Sequence, residues 1–340
     1  MKKLVLIGGG HSHAIALRQF GLHPVSQVEI TLISEAEDTP YSGMLPGHVA
    51  GLYSYDACHI DLRSLCEFAK ARLIVDRAVG LDLAQHRVLC EQADVAFDLL
   101  SIDIGSTPTM PAGAQGIGAK PISRFLKWWD RFEGESLAIV GGGTGGVELA
   151  LNMQRRFPDL RIQIFQRDRE LLPTHHAWVR RQFEKILAER GIQVHLGQTV
   201  QQTTCDATVW VTQASAAPWL KQSGLNVDER GFILVNDFLQ SVSHPEVFAA
   251  GDIVTMIHYA RPKAGVFAVR QGKPLFHNLG AVLEGRALKP YRPQKRYLSL
   301  IGTGDEMAIA SYGIFGWRSR WLWRVKDWID RAFMNQFKGV

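Results

Sequence analysis

The sequence contains few cysteines, and they form no pairing pattern. Disulfide frameworks belong to small secreted domains, and zinc sites need clustered ligands. We therefore expect free thiols in a reducing, cytoplasmic compartment, and no metal site. The four cysteines of the 340-residue chain, none in a CxxC or CxxxxC pair, are Cys58, Cys66, Cys90 and Cys205.

Long apolar runs and blocks of like charge are also absent. No stretch of about 18 or more uncharged apolar residues occurs, so we expect no transmembrane helix. The apolar residues 4–7 end at Gly8 without a small-residue cleavage site, which is typical of a first strand and not of a signal peptide. The net charge of +5 and the pI near 9.0 suit phosphate-rich cofactors or an anionic membrane surface, and nothing predicts nucleic-acid binding.

A composition of 46% hydrophobic and 21% charged residues is that of a soluble globular chain, and the length leaves room for two or three domains.

One sequence motif, an apolar strand followed by a glycine-rich turn and a helix, occurs twice. An apolar strand at 4–7 leads into Gly-Gly-Gly-His-Ser-His at 8–13, and another at 137–140 leads into Gly-Gly-Gly-Thr-Gly-Gly at 141–146. Each turn precedes a helical pattern, whose free N–H groups bind a diphosphate. The repeat predicts two Rossmann-like dinucleotide sites in an α/β fold.

The two turns differ at the third glycine, which lets helix and strand pack closely. The second turn is complete, with Gly141, Gly143 and Gly146. In the first turn His13 stands in the third place, which predicts looser packing but leaves the phosphate turn intact. The residues expected to contact the first dinucleotide are Gly8, Gly10, His11, Ser12 and His13.

An acidic residue after the second strand of such a unit holds the ribose. After the first turn, Glu35 follows a β-rich segment and is our candidate, with Ser34 as the alternative. After the second turn, Gln166 and Arg167 occupy this place, and no acid is present. Because an arginine here can accept a 2′-phosphate, the sequence leans toward NADPH, and a solvated surface arginine remains the other interpretation.

Three further segments follow in a fixed order. Residues 98–108 read Asp-Leu-Leu-Ser-Ile-Asp-Ile-Gly-Ser-Thr-Pro, 231–235 read Gly-Phe-Ile-Leu-Val, and 247–252 read Val-Phe-Ala-Ala-Gly-Asp. With the two turns, this order resembles the pyridine nucleotide-disulfide oxidoreductase superfamily, in its branch of type II NADH dehydrogenases and sulfide:quinone oxidoreductases. The resemblance implies FAD at the first turn and NADH or NADPH at the second, with Gly105 near the FAD and Asp252 on its ribityl chain. Asp103 is a departure, because the family usually has Ala-Thr-Gly at 103–105.

A more specific resemblance, to one subgroup of this superfamily, lies in residues 11–14, 39–51 and 262–271. These segments are similar to the flavoprotein found fused ahead of selenide, water dikinase, of which this chain would be a stand-alone form. Within them, the loop that ends at Pro46 resembles the one lying along the flavin ring. The physiological reaction of the subgroup stays open.

The positions of the cysteines argue against two kinds of reaction, disulfide reduction and sulfur transfer through cysteine. Disulfide reductases of this superfamily need a cysteine pair, but residues 35–51 and 141–172 contain no cysteine. Sulfide:quinone oxidoreductases have a cysteine late in the chain, and none follows Cys205. We therefore expect hydride transfer from NAD(P)H to FAD, followed by electron exit to a quinone or a similar small acceptor.

Two catalytic residues are predicted. Lys263 and Ala264 lie in residues 262–265, which look like the first turn of a helix running through 266–272, and the positive end of that helix would stabilise reduced flavin. Glu148 follows the second turn, where the matching glutamate of type II NADH dehydrogenases faces the flavin and nicotinamide. The alternatives are a surface lysine for Lys263 and a favourable helix-dipole interaction for Glu148. His48, like His11 and His13, is either near the flavin or structural.

The C-terminal segment predicts an amphipathic helix at 317–337. Arg318, Arg320, Arg324, Lys326 and Arg331 would surround its apolar stripe. Such a helix suits peripheral contact with the inner face of a membrane, as at the end of type II NADH dehydrogenases, and packing on its own body or on a second subunit of a homodimer is the alternative. The stripe consists of Trp321, Val325, Trp328, Ile329, Ala332 and Phe333.

These observations predict an FAD domain formed by residues 1–112 and 226–290, an inserted NAD(P)H domain at 113–225, and a C-terminal segment at 291–340. The leading function is an FAD-dependent NAD(P)H dehydrogenase with a quinone-type acceptor. Two alternatives stay open: a soluble flavin reductase serving selenium or sulfur metabolism, and a nucleotide-binding redox sensor without turnover.

Overall fold

The computed structural model describes residues 1–340, which form twenty-two strands, nine α-helices and two 3₁₀ helices. The α-helices are α1 (His11–Leu22), α2 (Leu45–Val49), α3 (Tyr55–Cys58), α4 (Leu62–Phe68), α5 (Ile122–Trp129), α6 (Thr144–Arg156), α7 (Ala177–Glu189), α8 (Gly265–Leu283) and α9 (Arg320–Asn335). The 3₁₀ helices are Pro218–Gln222 and Gly251–Ile253. The strands are β1 (Lys2–Ile7), β2 (Val28–Ser34), β3 (Asp38–Pro40), β4 (His59–Asp61), β5 (Arg72–Val75), β6 (Ala78–Asp82), β7 (Arg87–Cys90), β8 (Val95–Ala96), β9 (Leu99–Ile102), β10 (Thr107–Pro108), β11 (Ile117–Gly118), β12 (Ser136–Val140), β13 (Arg161–Gln166), β14 (Gln193–Leu196), β15 (Ala207–Trp210), β16 (Ala214–Ser215), β17 (Ile233–Val235), β18 (Val247–Ala249), β19 (Val254–Met256), β20 (Ser299–Gly302), β21 (Ala308–Tyr312) and β22 (Phe315–Ser319).

The first unit is a parallel sheet of order β18-β9-β1-β2-β5. Its central strand β1 is buried from Leu4 to Ile7, as expected for a continuous apolar run covered on both faces. Helices α1 and α8 pack together over this sheet so closely that a Cβ on Gly272 would overlap Ile15. The sheet collects strands from residues 2–102 and from 247–249, so the unit is discontinuous in sequence.

The second unit repeats this plan with a parallel sheet of order β11-β15-β12-β13-β14. Helix α6 leaves the end of β12 as α1 leaves the end of β1. The two parallel sheets confirm the predicted α/β class with two Rossmann-like units. The boundaries at 112, 225 and 290 stay a prediction.

The C-terminal segment forms an antiparallel sheet of order β20-β21-β22 followed by α9. Ile301 and Ile309 of this sheet join the hydrophobic core of the second unit, whereas Phe333 of α9 joins the core of the first. The Ser319 hydroxyl caps α9 by accepting a hydrogen bond from Leu322 N. The segment therefore packs against both units. None of the helices combines the length and the hydropathy that crossing a bilayer requires.

Candidate functional site

The first glycine turn joins β1 to α1. Gly8 has a φ of +93°, and a Cβ there would overlap the Asp103 carbonyl oxygen, so only glycine fits. The fully buried His13 lies behind the turn, with Nδ1 2.7 Å from the Gly8 oxygen and Nε2 2.8 Å from Ser101 Oγ. Burial lowers the pKa of His13 to about 4, which keeps the ring neutral. His13 thus supports the turn from inside.

Asp103 lies against the same turn. Its carboxylate accepts a hydrogen bond from Ser12 N at 2.9 Å and thereby caps α1, whose N-cap residue Gly10 has no side chain. A Cβ on Gly10 or on Gly251 would overlap this carboxylate. Burial, which leaves Asp103 only 2% exposed, raises its pKa to about 7.

The second glycine turn joins β12 to α6. Gly141 has a φ of +123°, and a Cβ there would overlap the Val211 carbonyl oxygen. A Cβ on Gly146 would overlap the Gly141 oxygen, which is the close helix approach that the third glycine permits. No atom lies within 4 Å of the Cβ position of Gly143, so the backbone is open to a diphosphate. The residues of this turn fit a dinucleotide.

The last residues of β2 and β13, and the residues that follow them, hold equivalent places beside the turns. Ser34 is buried near Gly9, whereas Glu35 is exposed, with Oε1 3.5 Å from Arg77 Nε. In the second unit, the Gln166 side chain accepts a hydrogen bond from Gly142 N at 2.9 Å, and Arg167 is exposed. The alternative ribose position, Ser34, and its counterpart Gln166 are therefore buried and polar, whereas the predicted candidate Glu35 and its counterpart Arg167 are exposed charges of opposite sign.

Asp252 lies at the start of the short helix Gly251–Ile253 and is 8% exposed. Burial would raise its pKa, but the Lys120 ammonium at 2.6 Å and the Ser106 hydroxyl at 3.2 Å hold it below the usual range. Sequence reasoning missed Lys120, because a single lysine 132 residues away carries no motif. A buried carboxylate that accepts from such donors fits the ribityl role predicted for Asp252.

A cavity of about 260 Å³ lies between the two units. Its lining brings together three predicted residues, Pro46, Glu148 and Lys263, and Lys120 is the remaining charged residue. The cavity opens beside Gly145 of the second turn, so it is placed for a planar ring at the junction of two dinucleotides.

Lys263 lines this cavity with its stem, but its ammonium is directed elsewhere. The Nζ atom lies 3.9 Å from the centroid of the Phe232 ring and donates hydrogen bonds to the Val254 oxygen and Thr255 Oγ1. Burial lowers the pKa of Lys263 to about 8. The helix begins later than the predicted first turn at 262–265, because α8 starts at Gly265 with Ala264 as its N-cap.

Glu148 is held by the C-terminal segment. Its Oε1 accepts a hydrogen bond from Gly302 N at 2.7 Å, and burial raises its pKa while the nearby Lys326 lowers it. Lys326 Nζ lies 2.8 Å from the Gly43 oxygen and 2.7 Å from Asp330 Oδ2. Burial would lower the pKa of Lys326, but Asp330 and Glu148 raise it above its usual value. A buried charge network thus joins all three parts of the chain.

The inner face of helix α9 differs from the prediction at Lys326. Lys326, which we expected outside the apolar stripe, faces inward, and Phe333 of the stripe is buried against Tyr41 with ring centroids 4.3 Å apart. Trp321 and Trp328 are 62% and 69% exposed. The buried charges thus lie on the inner face, and the tryptophans face outward.

The other predicted residues are spread around the site. Gly105 has a φ of +66° and open space at its Cβ position. The His11 ring packs edge-on against Tyr41, and burial lowers the pKa of His11 to about 4. His48 Nδ1 is bound to the Tyr53 oxygen at 2.8 Å, which indicates a structural role. All four cysteines are free, and none lines the cavity.

Comparisons with known proteins agree with this geometry. A family model described as pyridine nucleotide-disulphide oxidoreductase matches residues 2–272. Ferroptosis suppressor protein 1 of Xenopus tropicalis is 25% identical over 256 residues, which cover 65% of this chain and 66% of that protein. Demethylphylloquinone reductase NdbB of Synechocystis sp. is 28% identical over 274 residues, covering 69% and 67%. NADH dehydrogenase-like protein YutJ of Bacillus subtilis is 23% identical over 325 residues, covering 89% and 90%.

About a third of the first two relatives lies outside the matched region. Among solved structures, the sulfide:quinone oxidoreductase of Aquifex aeolicus has a TM-score of 0.78 at 17% identity, covering 99% of this chain and 92% of that one. The water-forming NADH oxidase of Lactobacillus brevis has a TM-score of 0.77 at 19% identity, covering 92% and 75%. These likenesses show the shared fold.

Proposed function

Since this chain belongs to the pyridine nucleotide-disulphide oxidoreductase family, whose members bind FAD and NAD(P)H, we propose that it is an NAD(P)H:quinone oxidoreductase acting at a membrane surface. The general reaction, oxidation of NAD(P)H by an FAD-dependent enzyme, follows from the family. The quinone acceptor and the membrane contact are the proposed parts. The name of the Synechocystis relative, a demethylphylloquinone reductase, supports this class of acceptor.

The main support for the proposal is the buried charge network of Glu148, Lys326 and Asp330 beside the cavity. Bound FAD supplies the hydride acceptor and the electron donor of such a reaction. Reduction of a quinone to a quinol also requires two protons. Glu148 lines the cavity, and because Oε1 accepts from Gly302, Oε2 is the atom that can hold a proton. The nearby Lys326 ammonium lowers the pKa of this carboxyl group and thereby favours release of that proton.

Two matched variants test the acceptor. The purified protein is expected to oxidise NADH or NADPH in the presence of a short-chain quinone. Glu148→Gln should lower kcat roughly 100-fold and leave the Kd for NAD(P)H nearly unchanged, because only proton transfer is removed. The control, Glu170→Gln, alters an exposed glutamate outside the cavity and should have no effect. Flavin bleaching by NAD(P)H with no quinone turnover would favour a soluble reductase with another acceptor.

The membrane contact rests on the outward face of the C-terminal segment. Exposed aromatic side chains occupy both α9 and the hairpin before it, and Arg320 and Arg324 are exposed among them. Tryptophan and arginine together suit the headgroup region of an anionic bilayer. The exposed apolar residues are Ile314, Phe315, Trp317, Trp321, Trp328 and Ile329.

Point substitutions test this face better than truncation, because α9 also contributes buried residues such as Leu322 to the protein interior. Trp321→Ser with Trp328→Ser should abolish co-sedimentation with vesicles containing phosphatidylglycerol and leave thermal stability unchanged. Phe157→Ser, which alters an exposed aromatic residue on the second unit, is the control. Equal vesicle binding by the wild type and the double variant would overturn the membrane contact.

A further inference from the structure

Asp103 and Val211 occupy equivalent positions in the two units. Each is the first residue after the strand that neighbours the turn, β9 or β15. Asp103 N donates to the Ile7 oxygen at 2.9 Å, and Val211 N donates to the Val140 oxygen at 2.8 Å. The carbonyl oxygen of each lies against the first glycine of its turn. The chain therefore places a carboxyl group at one dinucleotide turn and an isopropyl group at the other.

The Asp103 carboxyl group has no cationic partner. Its neighbours are the first-turn N–H groups of α1 and the glycines at 10 and 251. On α1, burial keeps the pKa values of His11 and His13 near 4, so both rings are neutral at pH 7. Asp252 adds a negative charge, which is paired with Lys120. Lys263 precedes α8, but its ammonium lies against Phe232.

The N-terminus of α1 is also where the FAD diphosphate has to be held. A helix N-terminus carries only about half a positive charge. It cannot neutralise both the diphosphate and a carboxylate buried at the same helix end, and solvent does not screen the repulsion between buried charges. Protonation of the carboxyl group removes this repulsion and leaves it a hydrogen-bonding group.

We propose that Asp103 is a cofactor-binding residue that is a neutral carboxylic acid in the FAD-loaded protein, so that FAD binding takes up one proton. The apoprotein pKa of about 7 fits this role, because the group is largely ionised above neutral pH before FAD binds. Val211 has no proton to exchange, so binding of NAD(P)H at the second turn is not linked to pH in this way. The inference rests on the FAD site and not on the quinone acceptor.

Binding measurements on the apoprotein test the proposal without turnover. The Kd for FAD, followed by quenching of flavin fluorescence, should rise up to about tenfold per pH unit above pH 7. Calorimetry at pH 8 in two buffers with different ionisation enthalpies should show uptake of about one proton per FAD. Asp103→Asn, which keeps the cap to Ser12 N, should remove both effects. If Asp103→Asn folds poorly, Asp103→Ala, with the usual residue of this family, should also remove them.

Two further variants exclude other titrating groups. Lys263→Gln removes the ammonium whose pKa lies at about 8, and the linkage should persist in it. Val211→Asp should transfer the linkage to the second turn and make binding of NADP⁺ weaken with rising pH. An unchanged pH slope in both Asp103 variants, or no proton uptake by the wild type, would overturn the proposal. Loss of quinone turnover alone would not contradict the proposal, because the proposal concerns FAD binding and not the electron acceptor.

Discussion

The two glycine turns place nearly the same backbone against different side chains. In each, the first glycine has a positive φ and its N–H donates to the neighbouring strand, Gly8 to Ile33 and Gly141 to Phe165, both at 2.8 Å. In the second unit the helix touches the first-glycine carbonyl directly through Gly146. In the first unit the His13 ring hydrogen-bonds to that carbonyl instead. In both units the start of the helix therefore packs against the carbonyl oxygen of the first glycine. A glycine at the third position allows direct contact with this oxygen, and a histidine there forms a hydrogen bond to it instead.

The largest effect is expected at Gly146. Gly146→Ala puts a methyl group into the Gly141 oxygen, and backbone cannot move away as a flexible side chain can. We expect a loss of about 3 kcal/mol or more in the free energy of unfolding, measured by urea denaturation. Gly143→Ala meets no atom and should keep this stability while weakening NADPH binding. A stable Gly146→Ala protein would refute the direct helix contact.

His13→Gly restores the glycine pattern of the first turn and should nevertheless destabilise it. The substitution leaves a cavity and removes two hydrogen bonds from a fully buried ring. We expect a cost of roughly 2–4 kcal/mol, by the usual range for emptied core positions. His13→Gln, which keeps a polar side chain, should cost less. An unchanged urea midpoint for His13→Gly would mean that the first turn accommodates His13 but is not stabilised by it.

The apoprotein should also depend on pH through Asp103. Burial raises the folded-state pKa of this acid to about 7, so its contribution to stability is complete below pH 4 and is lost as pH rises through 7. The expected loss is up to about 1.4 kcal/mol per pH unit between these values. Thermal unfolding of the wild type and Asp103→Asn across this window measures it. Parallel curves would show that another group causes the pH dependence.

The smallest effect concerns donor choice. Arg167 follows the ribose position of the second unit, where the first unit has Glu35. Arg167→Ala should raise KM for NADPH about tenfold and leave KM for NADH unchanged, because only NADPH has a 2′-phosphate. Arg161→Ala, at the other end of β13, is the matched control. Equal changes for both donors would make Arg167 a solvated surface residue.

Helix α9 shows how a correct pattern led to a partly wrong assignment. Helical spacing predicted an apolar stripe, and Trp321, Trp328 and Ile329 do share an exposed face. The pattern places Lys326 among the cationic residues outside the apolar stripe, whereas in the structure it faces inward. Its burial depends on Asp330 one turn later and on Glu148 from a distant helix. No pattern in the sequence around Lys326 indicates that Glu148 is its second partner.

The features that could be predicted from the sequence arise within one strand–turn–helix segment. Strand hydrophobicity, glycine conformation and helix polarity act over a few residues, so both turns and the α/β class were predictable, whereas α8 begins three residues after the predicted start at Pro262. Contacts between distant segments, such as Lys120 with Asp252 and Glu148 with Lys326, depend on the complete fold. The fold also determines which charges are buried, because the loss of solvent around a carboxyl group depends on everything packed against it. For that reason Asp103 is an ordinary aspartate in the sequence and a perturbed acid in the fold.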